Sequence, residues 1–391
     1  MATKTNEIRE KRDNGTGTIY QRDNGKWVGK IYVGRKEDGK PKFKFFSGKT
    51  QGEVKKKIRE HNQSSSNLDI KKVSVESYLR NWLKTYKKGT IKDSSYDALE
   101  KTALNQVIPN IGMIQLQQLT SDDIQILLKD LKKQGYSYST VKKAHDCINA
   151  MIKHAVIAGD VDRNPMLLVK MLAESEFEKK EIRFFTQEEC SLIVEESSRQ
   201  YKTGAPVYVY GDAYVLMLHT GIRLGEAIGL EKSDWDENNK TLHIRRNIQS
   251  ITKRDDSGER VKGRELVCNT TKTYSGDRIL PLNKSATEAL ERLCNSCPES
   301  KHIICSRNGN MIPPERLERT FYRILNNLKI DKTGLHSLRH TFASMLFANK
   351  ADIKTISHLL GHASIQITLN TYIHLVKEPD KEAVAILDEI I

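Results

Sequence analysis

Residues 333–374 constrain the fold most strongly, because their apolar side chains recur at the spacing of three successive helices. The first helix is expected around residues 335–346. Asp352 can cap the second helix, which is predicted to end at Gly361. Ser364 can cap the third helix, whose apolar stripe is predicted to contain Ile365, Leu369, Ile373 and Val376. The C-terminal part of the chain is therefore predicted to be a compact helical unit.

The same helices carry polar side chains of a restricted chemical kind. His336 and Arg339 are three residues apart and share a helical face, His362 follows the second helix, and Tyr372 lies beside the third apolar stripe. Cations, imidazoles and a phenol without paired carboxylates suit an anionic substrate, such as a phosphodiester attacked by the tyrosine oxygen. A single tyrosine on a helix usually lies in a core or an interface, and a single histidine is usually a satisfied polar residue. The combination of residues therefore carries the prediction.

The order of these residues resembles a known signature. His336-Ser-Leu-Arg-His340 is followed by Leu360-Gly-His362, and Tyr372 comes ten residues after His362. This order is similar to the C-terminal signature of the tyrosine recombinases, the integrase family of phages and conjugative elements. The resemblance implies a site-specific DNA recombinase that integrates and excises a mobile element. The order of the predicted domains extends the resemblance over residues 1–391, and the specific motifs begin at Arg223.

Two upstream motifs extend the resemblance. Arg223 leaves a glycine-flanked turn in His219–Glu226, from which a guanidinium can reach phosphate oxygens. Considered alone, the motif would favour an ion pair between Arg223 and Glu226 on a helix surface. In the family this motif contains the first catalytic arginine. Thr-Lys272-Thr, followed by a tight turn and Arg278-Ile-Leu-Pro-Leu, resembles the hairpin that carries the family's catalytic lysine.

The resemblance implies six catalytic residues: Arg223, Lys272, His336, Arg339, His362 and Tyr372. In the family the arginines hold the nonbridging oxygens of the scissile phosphate, while the first histidine assists proton transfer and the second bonds the phosphate. The lysine protonates the departing 5′ oxygen, and the tyrosine becomes joined to the 3′ phosphate. We expect no metal and no other cofactor, because the cations neutralise the transition state and the covalent bond conserves the energy of the broken one.

Charge points to a polyanionic partner. The chain has 64 Lys and Arg against 50 Asp and Glu, for a net charge of +14 and a pI near 9.3. Nucleic acid is favoured over a membrane surface, since no long apolar run or basic amphipathic anchor is present. The N-terminal residues lack the apolar segment of a signal peptide, which predicts a cytoplasmic protein acting on DNA in a bacterial cell.

Residues 1–63 carry 17 Lys and Arg and 8 Asp and Glu, and thus +9 of the net charge. Three predicted strands followed by a helix near residues 51–61 resemble the arm-site DNA-binding domain of the family. Trp27 and Phe45 are predicted to lie in its core. The candidate DNA contacts in this domain are Arg22, Lys26, Lys30, Lys42 and Lys44.

The rest of the chain is predicted to form two further domains, for an α+β multidomain protein. A polar, Ser-rich linker at 64–72 precedes a helical domain at 73–173, which resembles the family's core-binding domain and offers Lys142 and Lys143 to DNA. A charged linker at 174–182 leads to the catalytic domain, 183–391, near whose start Thr186 and Glu189 are predicted to form a capping box. This last domain is expected to be mixed but mainly α, with a small β-sheet. Its strands are predicted near residues 241–244, 247–251 and 264–267, with a charged loop at 253–258.

Family membership also implies an assembly. The expected partners are double-stranded DNA with core-type and arm-type attachment sites, three further copies of the chain in a homotetramer on DNA, and accessory proteins that bend DNA or direct excision. A last helix is predicted after Pro379, with an apolar stripe that either folds back on its own chain or docks on a neighbouring protomer. No membrane partner is expected.

Other functions fit parts of the sequence. Cys294, Cys297, His302 and Cys305 could form a short zinc knuckle, although Cys294 and Cys305 end apolar runs and also fit a core. His358 and His362 have the spacing of a zinc helix, but Leu359 replaces the metalloprotease glutamate. A topoisomerase with a tyrosine nucleophile would share the chemistry, and a DNA-binding regulator would not need all six catalytic candidates. The other three cysteines, Cys147, Cys190 and Cys268, are scattered and suit free thiols in a reducing compartment.

Overall fold

The computed structural model describes residues 18–22, 25–35, 41–65, 73–178, 183–255, 257–270 and 276–372. These residues form two compact units. One contains the described residues up to 82 together with 105–133 and 144–171, and the other contains 83–104, 134–143 and the described residues from 172 onward. This division runs through the predicted helical domain, and the predicted domain boundaries stay a prediction.

The first elements are a three-stranded antiparallel sheet and a helix, as predicted. The sheet has the order β1-β2-β3 and packs on α1. Gly29 permits the close approach of the helix, because a Cβ atom there would lie 2.6 Å from Cδ1 of Ile58. The elements are β1 (Thr18–Gln21), β2 (Trp27–Arg35), β3 (Pro41–Gly48) and α1 (Gln51–Ser65).

The two faces of this sheet differ in character. Ile31 packs with Val54 and Ile58 of α1, and Trp27 packs against this cluster as predicted. Phe45, also predicted to lie in the core, is 55% exposed, so that prediction is wrong. Successive side chains of a strand point to opposite faces, and its neighbour Phe46 is the residue that packs on the helix side.

Helix α1 is longer than predicted. It continues through Ser65, four residues beyond the expected end at residue 61 and into the segment interpreted as a flexible linker. Once a helix is formed, each further residue adds a hydrogen bond at little nucleation cost, so polar residues can extend it. Residues 66–72 of the predicted linker lie outside the described residues.

The middle of the chain is helical, as predicted. Leu79, Ile124 and Ile148 are fully buried in the first unit. The helices here are α2 (Val75–Trp82), α3 (Asp93–Thr102), α4 (Ile108–Ile111), α5 (Ser121–Lys133) and α6 (Tyr138–Ala158). Tyr78 of α2 donates a hydrogen bond to Asp160 at 2.9 Å and also contacts Nδ1 of His154 at 3.0 Å, which ties the start of this bundle to its end.

The C-terminal part of the second unit is mixed but mainly helical. Its helices are α7 (Gln187–Ser197), α8 (Gly211–Thr220), α9 (Leu224–Ile228), α10 (Lys284–Ser296), α11 (Pro314–Asn327), α12 (His336–Ala348), α13 (Ile353–Leu360) and α14 (Ile365–Tyr372). Its strands are β4 (Trp235–Asp236), β5 (Thr241–Ile244), β6 (Arg246–Arg254), β7 (Arg260–Thr270) and β8 (Arg278–Pro281). Strands β4, β5 and β8 form one sheet, and β6 and β7 form a hairpin. The predicted α+β class is confirmed.

Caps predicted from the sequence begin several of these helices. The Thr186 hydroxyl accepts from the Glu189 amide, and the Glu189 carboxylate accepts from the Thr186 amide, which makes the predicted capping box. Asp352 caps α13, Gly361 ends it with a positive φ of 64°, and Ser364 accepts from the Gln366 amide. In the part of the chain that the structure describes, no helix is long and apolar enough to span a membrane.

The β6–β7 hairpin is longer than predicted and packs against α3 within the second unit. Ion pairs join the two elements: Arg254 donates to both carboxylate oxygens of Glu100, at 2.6 and 3.1 Å, and its guanidinium lies 4.7 Å from the ring centre of Tyr96. Such pairing satisfies charged groups within the strands, so the charged stretch after residue 252 is partly strand and not wholly the predicted loop.

Candidate active site

Arg223 stands at the junction of two helices. Helix α8 ends at Gly221, whose φ of 66° favours glycine, and a Cβ atom there would collide with the Phe342 ring. Arg223 follows in an extended conformation as the cap of α9, and its side chain is 33% exposed. The turn therefore leaves the Arg223 side chain only partly buried, so that its guanidinium remains accessible.

A buried carboxylate holds this arginine. Glu226 is 2% exposed and accepts from the Arg223 guanidinium at 2.7 Å and from the Arg223 amide at 2.9 Å. It also accepts two hydrogen bonds from Arg278, at 2.9 and 3.2 Å. Burial alone would raise the pKa of Glu226, but these bonds to Arg278 and Arg223 and the two positive charges hold it below its ordinary value. The Arg223–Glu226 pair weighed as a surface feature thus exists, but its carboxylate is buried.

Arg339 is anchored by two backbone carbonyls. It lies in α12, is 2% exposed, and donates to the carbonyl of Gly221 at 2.8 Å and to that of Leu360 at 2.7 Å. Arg223 donates to the neighbouring carbonyl of Gly361 at 3.3 Å. Both guanidiniums are therefore fastened to the same turn, the one that precedes His362.

The histidines of the signature share this positive environment. His336 and His340 lie with their ring centres 5.0 Å apart in an edge-to-face arrangement. Burial, with the charges of Arg339 and Arg223, lowers the pKa of His336. Burial also lowers the pKa of His340 to about 4, and that of His362 to about 4, where the two arginines again add to the effect. All three imidazoles are thus neutral near pH 7.

His362 has a partner that sequence reasoning missed. Its Nδ1 lies 2.7 Å from the hydroxyl of Thr368 in α14, and Thr368 is fully buried. The predicted apolar stripe of this helix is correspondingly incomplete, because Ile365 is 38% exposed. A buried hydroxyl requires a hydrogen-bond partner, and His362 supplies one, so Thr368 can be buried on this face of α14. The one signal in the sequence for this contact is a polar residue, Thr368, on the predicted inner face of the helix.

The structure brings together four of the six predicted catalytic residues: Arg223, His336, Arg339 and His362. Lys272 lies outside the described residues, as does the side chain of Tyr372, whose backbone forms the end of α14. Sequence reasoning also missed the structural importance of Arg278, which it treated only as part of a hairpin motif. The arrangement of charges can bind an anion and stabilise negative charge that develops on it.

The candidate DNA contacts of the N-terminal sheet divide between its faces. Lys30 lies on the face opposite α1, with its ammonium 3.8 Å from the centre of the Phe43 ring. Lys44 belongs to the strand positions that face the helix side, although it is exposed. Arg22 and Lys26 are exposed beside the first turn, and the side chain of Lys42 lies outside the described residues.

The two remaining candidate DNA contacts lie on α6. Lys142 and Lys143 are both exposed there.

The zinc alternatives gain no support, since no cluster of three or more candidate metal ligands occurs among the described residues. Cys305 is buried and Cys294 packs against the core, as the alternative interpretation of the cysteines predicted. His358, one member of the other zinc pattern, is exposed.

Comparison with known families identifies the class of protein. Residues 183–378, half of the chain, match the phage integrase family, and residues 74–132 match the phage integrase N-terminal SAM-like domain. The chain therefore belongs to the phage integrase family, and the predicted tyrosine recombinase resemblance is confirmed.

Individual relatives agree with this assignment. A tyrosine recombinase XerC-like protein of Caldanaerobacter subterraneus subsp. tengcongensis is 28% identical over 412 aligned residues, which cover 100% of both chains. The integrase of Staphylococcus phage L54a is 24% identical over 86% of this chain and 99% of its own.

A solved structure shares the fold. The Tn1549 transposon integrase, in complex with a circular intermediate DNA, has a TM-score of 0.63 at 19% identity and covers 82% of this chain and 100% of its own. The lambda integrase tetramer bound to a Holliday junction has a TM-score of 0.58 at 17% identity and covers 95% of this chain and 99% of its own.

Proposed function

We propose that this chain is a site-specific DNA recombinase that cleaves and rejoins DNA through a 3′-phosphotyrosine intermediate, and so integrates and excises a mobile element. One observation carries the proposal: the guanidiniums of Arg223 and Arg339 are fastened to the same turn, next to His362, by hydrogen bonds to the carbonyls of Leu360 and Gly361. That arrangement concentrates positive charge where a phosphodiester would bind.

Binding of the scissile phosphate falls to the two arginines. A guanidinium has five N–H donors, and Arg223 uses one on Glu226 and one on Gly361, which leaves donors for a nonbridging oxygen. Arg339, held by two carbonyls, places a second positive charge on the same turn. The two charges together stabilise the additional negative charge of the pentavalent phosphorane.

Attack by the tyrosine needs this electrostatic help. A phenol with a pKa of about 10 is roughly 0.1% ionised at pH 7, so forming the phenolate costs about 4 kcal/mol. Nearby guanidiniums offset part of that cost because they favour the anion. We assign Tyr372 as the nucleophile that forms the bond to phosphorus as the bond to the 5′ oxygen breaks.

Proton transfer falls to the remaining candidates. His336 is neutral near pH 7, because burial and the arginine charges lower its pKa, and a neutral imidazole can accept the phenolic proton. His362 donates a hydrogen bond to the phosphate. Lys272 protonates the departing 5′ oxygen, which would otherwise leave as an alkoxide. The free 5′ hydroxyl of a partner strand then reverses these steps to rejoin the DNA.

The partners follow from the same proposal. We assign residues 1–63 to arm-type DNA, residues 73–173 and 183–391 to core-type DNA, and 64–72 and 174–182 to linkers between them. Lys30 and Arg22 are exposed or half-exposed cations suited to phosphate contacts. The lambda integrase tetramer on a Holliday junction supports a DNA-bound homotetramer here. Bacterial DNA as the substrate places the protein in the cytoplasm.

A recombination assay with two duplexes tests this function. The purified chain is incubated with a supercoiled plasmid and a labelled linear duplex that carry the two attachment sites of its element. A recombinase transfers the label to the plasmid. Relaxed plasmid without label transfer would favour a topoisomerase, and DNA binding without any strand breakage would favour a regulator. Either result would contradict the proposal.

A further inference from the structure

The hydrogen bond between Thr368 and His362 links two parts of the site. The hydroxyl of Thr368 lies 2.7 Å from Nδ1 of His362, and the threonine side chain is fully buried. His362 follows the turn that ends α13, whereas Thr368 lies in the middle of α14. Tyr372 follows Thr368 by four residues in the same helix, a spacing that places two positions on one helical face.

The burial of Thr368 indicates which atom donates. If Nδ1 of His362 carried the proton, the threonine oxygen would accept it and the hydroxyl proton would need another acceptor. Among the described residues the hydroxyl has no second hydrogen-bond partner. A buried donor without an acceptor is costly, whereas an unused lone pair on a hydroxyl oxygen costs less. The hydroxyl therefore donates to Nδ1.

This direction matters because His362 is neutral. Burial and the charges of Arg339 and Arg223 lower its pKa to about 4, so at pH 7 the ring carries a single N–H. A neutral imidazole donates through one nitrogen and accepts through the other. When Nδ1 accepts from Thr368, the proton must lie on Nε2.

We propose that Thr368 is a positioning residue that holds His362 in the tautomer with Nε2–H, so that the imidazole can donate to a phosphate oxygen. The inference rests on the proposed function for the role of His362, but the tautomer itself does not. The same bond fastens α14 to the turn after α13, and thus holds the helix that ends at Tyr372 against the turn that holds both arginines.

Nitrogen NMR of the full chain tests the tautomer without reference to catalysis. Protein labelled with ¹⁵N in histidine is compared with Thr368→Val, Thr368→Ser and His362→Gln, the last to assign the signals. We expect His362 to show a protonated Nε2 and an unprotonated Nδ1 in the wild type and in Thr368→Ser, and a changed tautomer mixture in Thr368→Val. A protonated Nδ1 in the wild type, or identical spectra for wild type and Thr368→Val, would overturn the proposal.

Cleavage kinetics test the consequence. We expect Thr368→Val to slow cleavage of a suicide duplex by about 10- to 100-fold, by analogy with the outer partners of metal-binding histidines. Thr368→Ser should restore most of the rate. Thr287→Val serves as the matched control and should leave the rate unchanged, since the hydroxyl of Thr287 in α10 donates to the carbonyl of Asn283, the residue that caps this helix.

A double-mutant cycle separates positioning from a general loss of structure. If Thr368 acts through His362, adding Thr368→Val to His362→Ala should slow cleavage no further. If instead the two substitutions slow cleavage independently, so that their fold-reductions in rate multiply, Thr368 acts elsewhere and the proposal is refuted. If the wild type cleaves no DNA, the proposed function fails, and the NMR spectra still decide the role of Thr368.

Discussion

At the residue scale, Glu226 organises the positive charges of the site. Its carboxylate, 2% exposed, lies between Arg223 and the equally buried Arg278. A buried carboxylate is tolerated here because four hydrogen bonds from these two arginines satisfy it. Glu226 thus supplies a counter-charge to the buried guanidinium of Arg278, while Arg223 stays partly exposed for a substrate.

Glu226→Gln should therefore weaken both the fold and the site. The amide keeps the shape but removes the negative charge, so two neighbouring guanidiniums lose their counter-ion. We expect the free energy of unfolding in urea to fall by about 3 kcal/mol, and suicide-duplex cleavage to slow as Arg223 loses its orientation. Asp212→Asn, which breaks the more exposed pair with Arg292, is the control and should cost under about 1 kcal/mol. Equal losses in the two variants would refute this role.

The buried histidines should make the protein sensitive to acid. Burial lowers the pKa values of His340 and His362 to about 4, whereas an unfolded histidine titrates near about 6.5. Between these values the unfolded chain binds more protons than the folded one, so stability falls as pH falls from about 6.5 to about 4. Urea denaturation across this range should show the decline, and His340→Gln should make it shallower. An unchanged slope in that variant would contradict the assignment.

Sequence reasoning worked at this scale where chemistry and spacing agreed. Arg223, His336, Arg339 and His362 were predicted from motifs, and the structure brings them together. Thr368 and Phe45 were missed for a common reason. A residue's orientation was inferred from its apolarity, but strand alternation exposes Phe45, and a partner buries the polar Thr368. Which residue a histidine will contact depends on tertiary packing that periodicity does not encode.

At the element scale, helix α3 and the β6–β7 hairpin are joined by charge. Glu100 and Arg254 form a two-bond pair, with side chains 13% and 16% exposed, and Arg260 lies 3.7 Å from the same carboxylate. Asp97 adds a second carboxylate, 3.8 Å from Arg254. Removing one partner of such a weakly solvated pair leaves an uncompensated charge and costs more than removing one partner of an exposed pair.

Glu100→Ala should loosen this contact measurably. Removing the carboxylate leaves a mostly buried guanidinium without its main partner, and we expect the free energy of unfolding to fall by about 2–3 kcal/mol. The control is Glu259→Ala on the same hairpin, because the Lys84–Glu259 pair is well exposed and should matter much less. Urea denaturation of both variants provides the comparison. A loss no greater than that of the control would show that the pair is not stabilising.

Element types were predictable where local signals were strong. The three strands, the capping box at Thr186 and the cap at Asp352 all appear where the sequence placed them. The ends of elements were less predictable. Helix α1 runs to Ser65 and the hairpin strands run into the charged stretch, because cooperative helix growth and ion pairs with α3 supply stabilisation that a local pattern does not contain.

At the scale of the whole molecule, charge is concentrated at the N-terminus. Residues 1–63 hold +9 of the net +14, and the described part of this segment forms a small sheet on a helix with its own apolar cluster. The α+β class and the family were predictable from the sequence. The division into two units was not, because helix α3, which belongs to the predicted helical domain, groups with the C-terminal unit through tertiary contacts.

We expect residues 1–63, expressed alone, to bind DNA with an affinity that falls steeply with salt, since each phosphate contact releases counterions. The chain lacking this segment should still cleave core-site DNA. Binding titrations from low to moderate ionic strength measure the first expectation, and a suicide duplex measures the second. Salt-independent binding, or none, would contradict the arm-site assignment, and loss of core cleavage would show that the segment serves the catalytic reaction itself.

The most direct measurement of the central claim is the covalent complex between the chain and its own attachment site. A duplex nicked near the cleavage point traps the intermediate, because the short fragment diffuses away and cannot rejoin. We predict an adduct that resists denaturation, maps by peptide mass spectrometry to Tyr372 and carries the DNA by its 3′ phosphate, and that is absent from a folded, DNA-binding Tyr372→Phe variant. An adduct on another residue, linkage to a 5′ phosphate, or undiminished adduct in Tyr372→Phe would contradict the account.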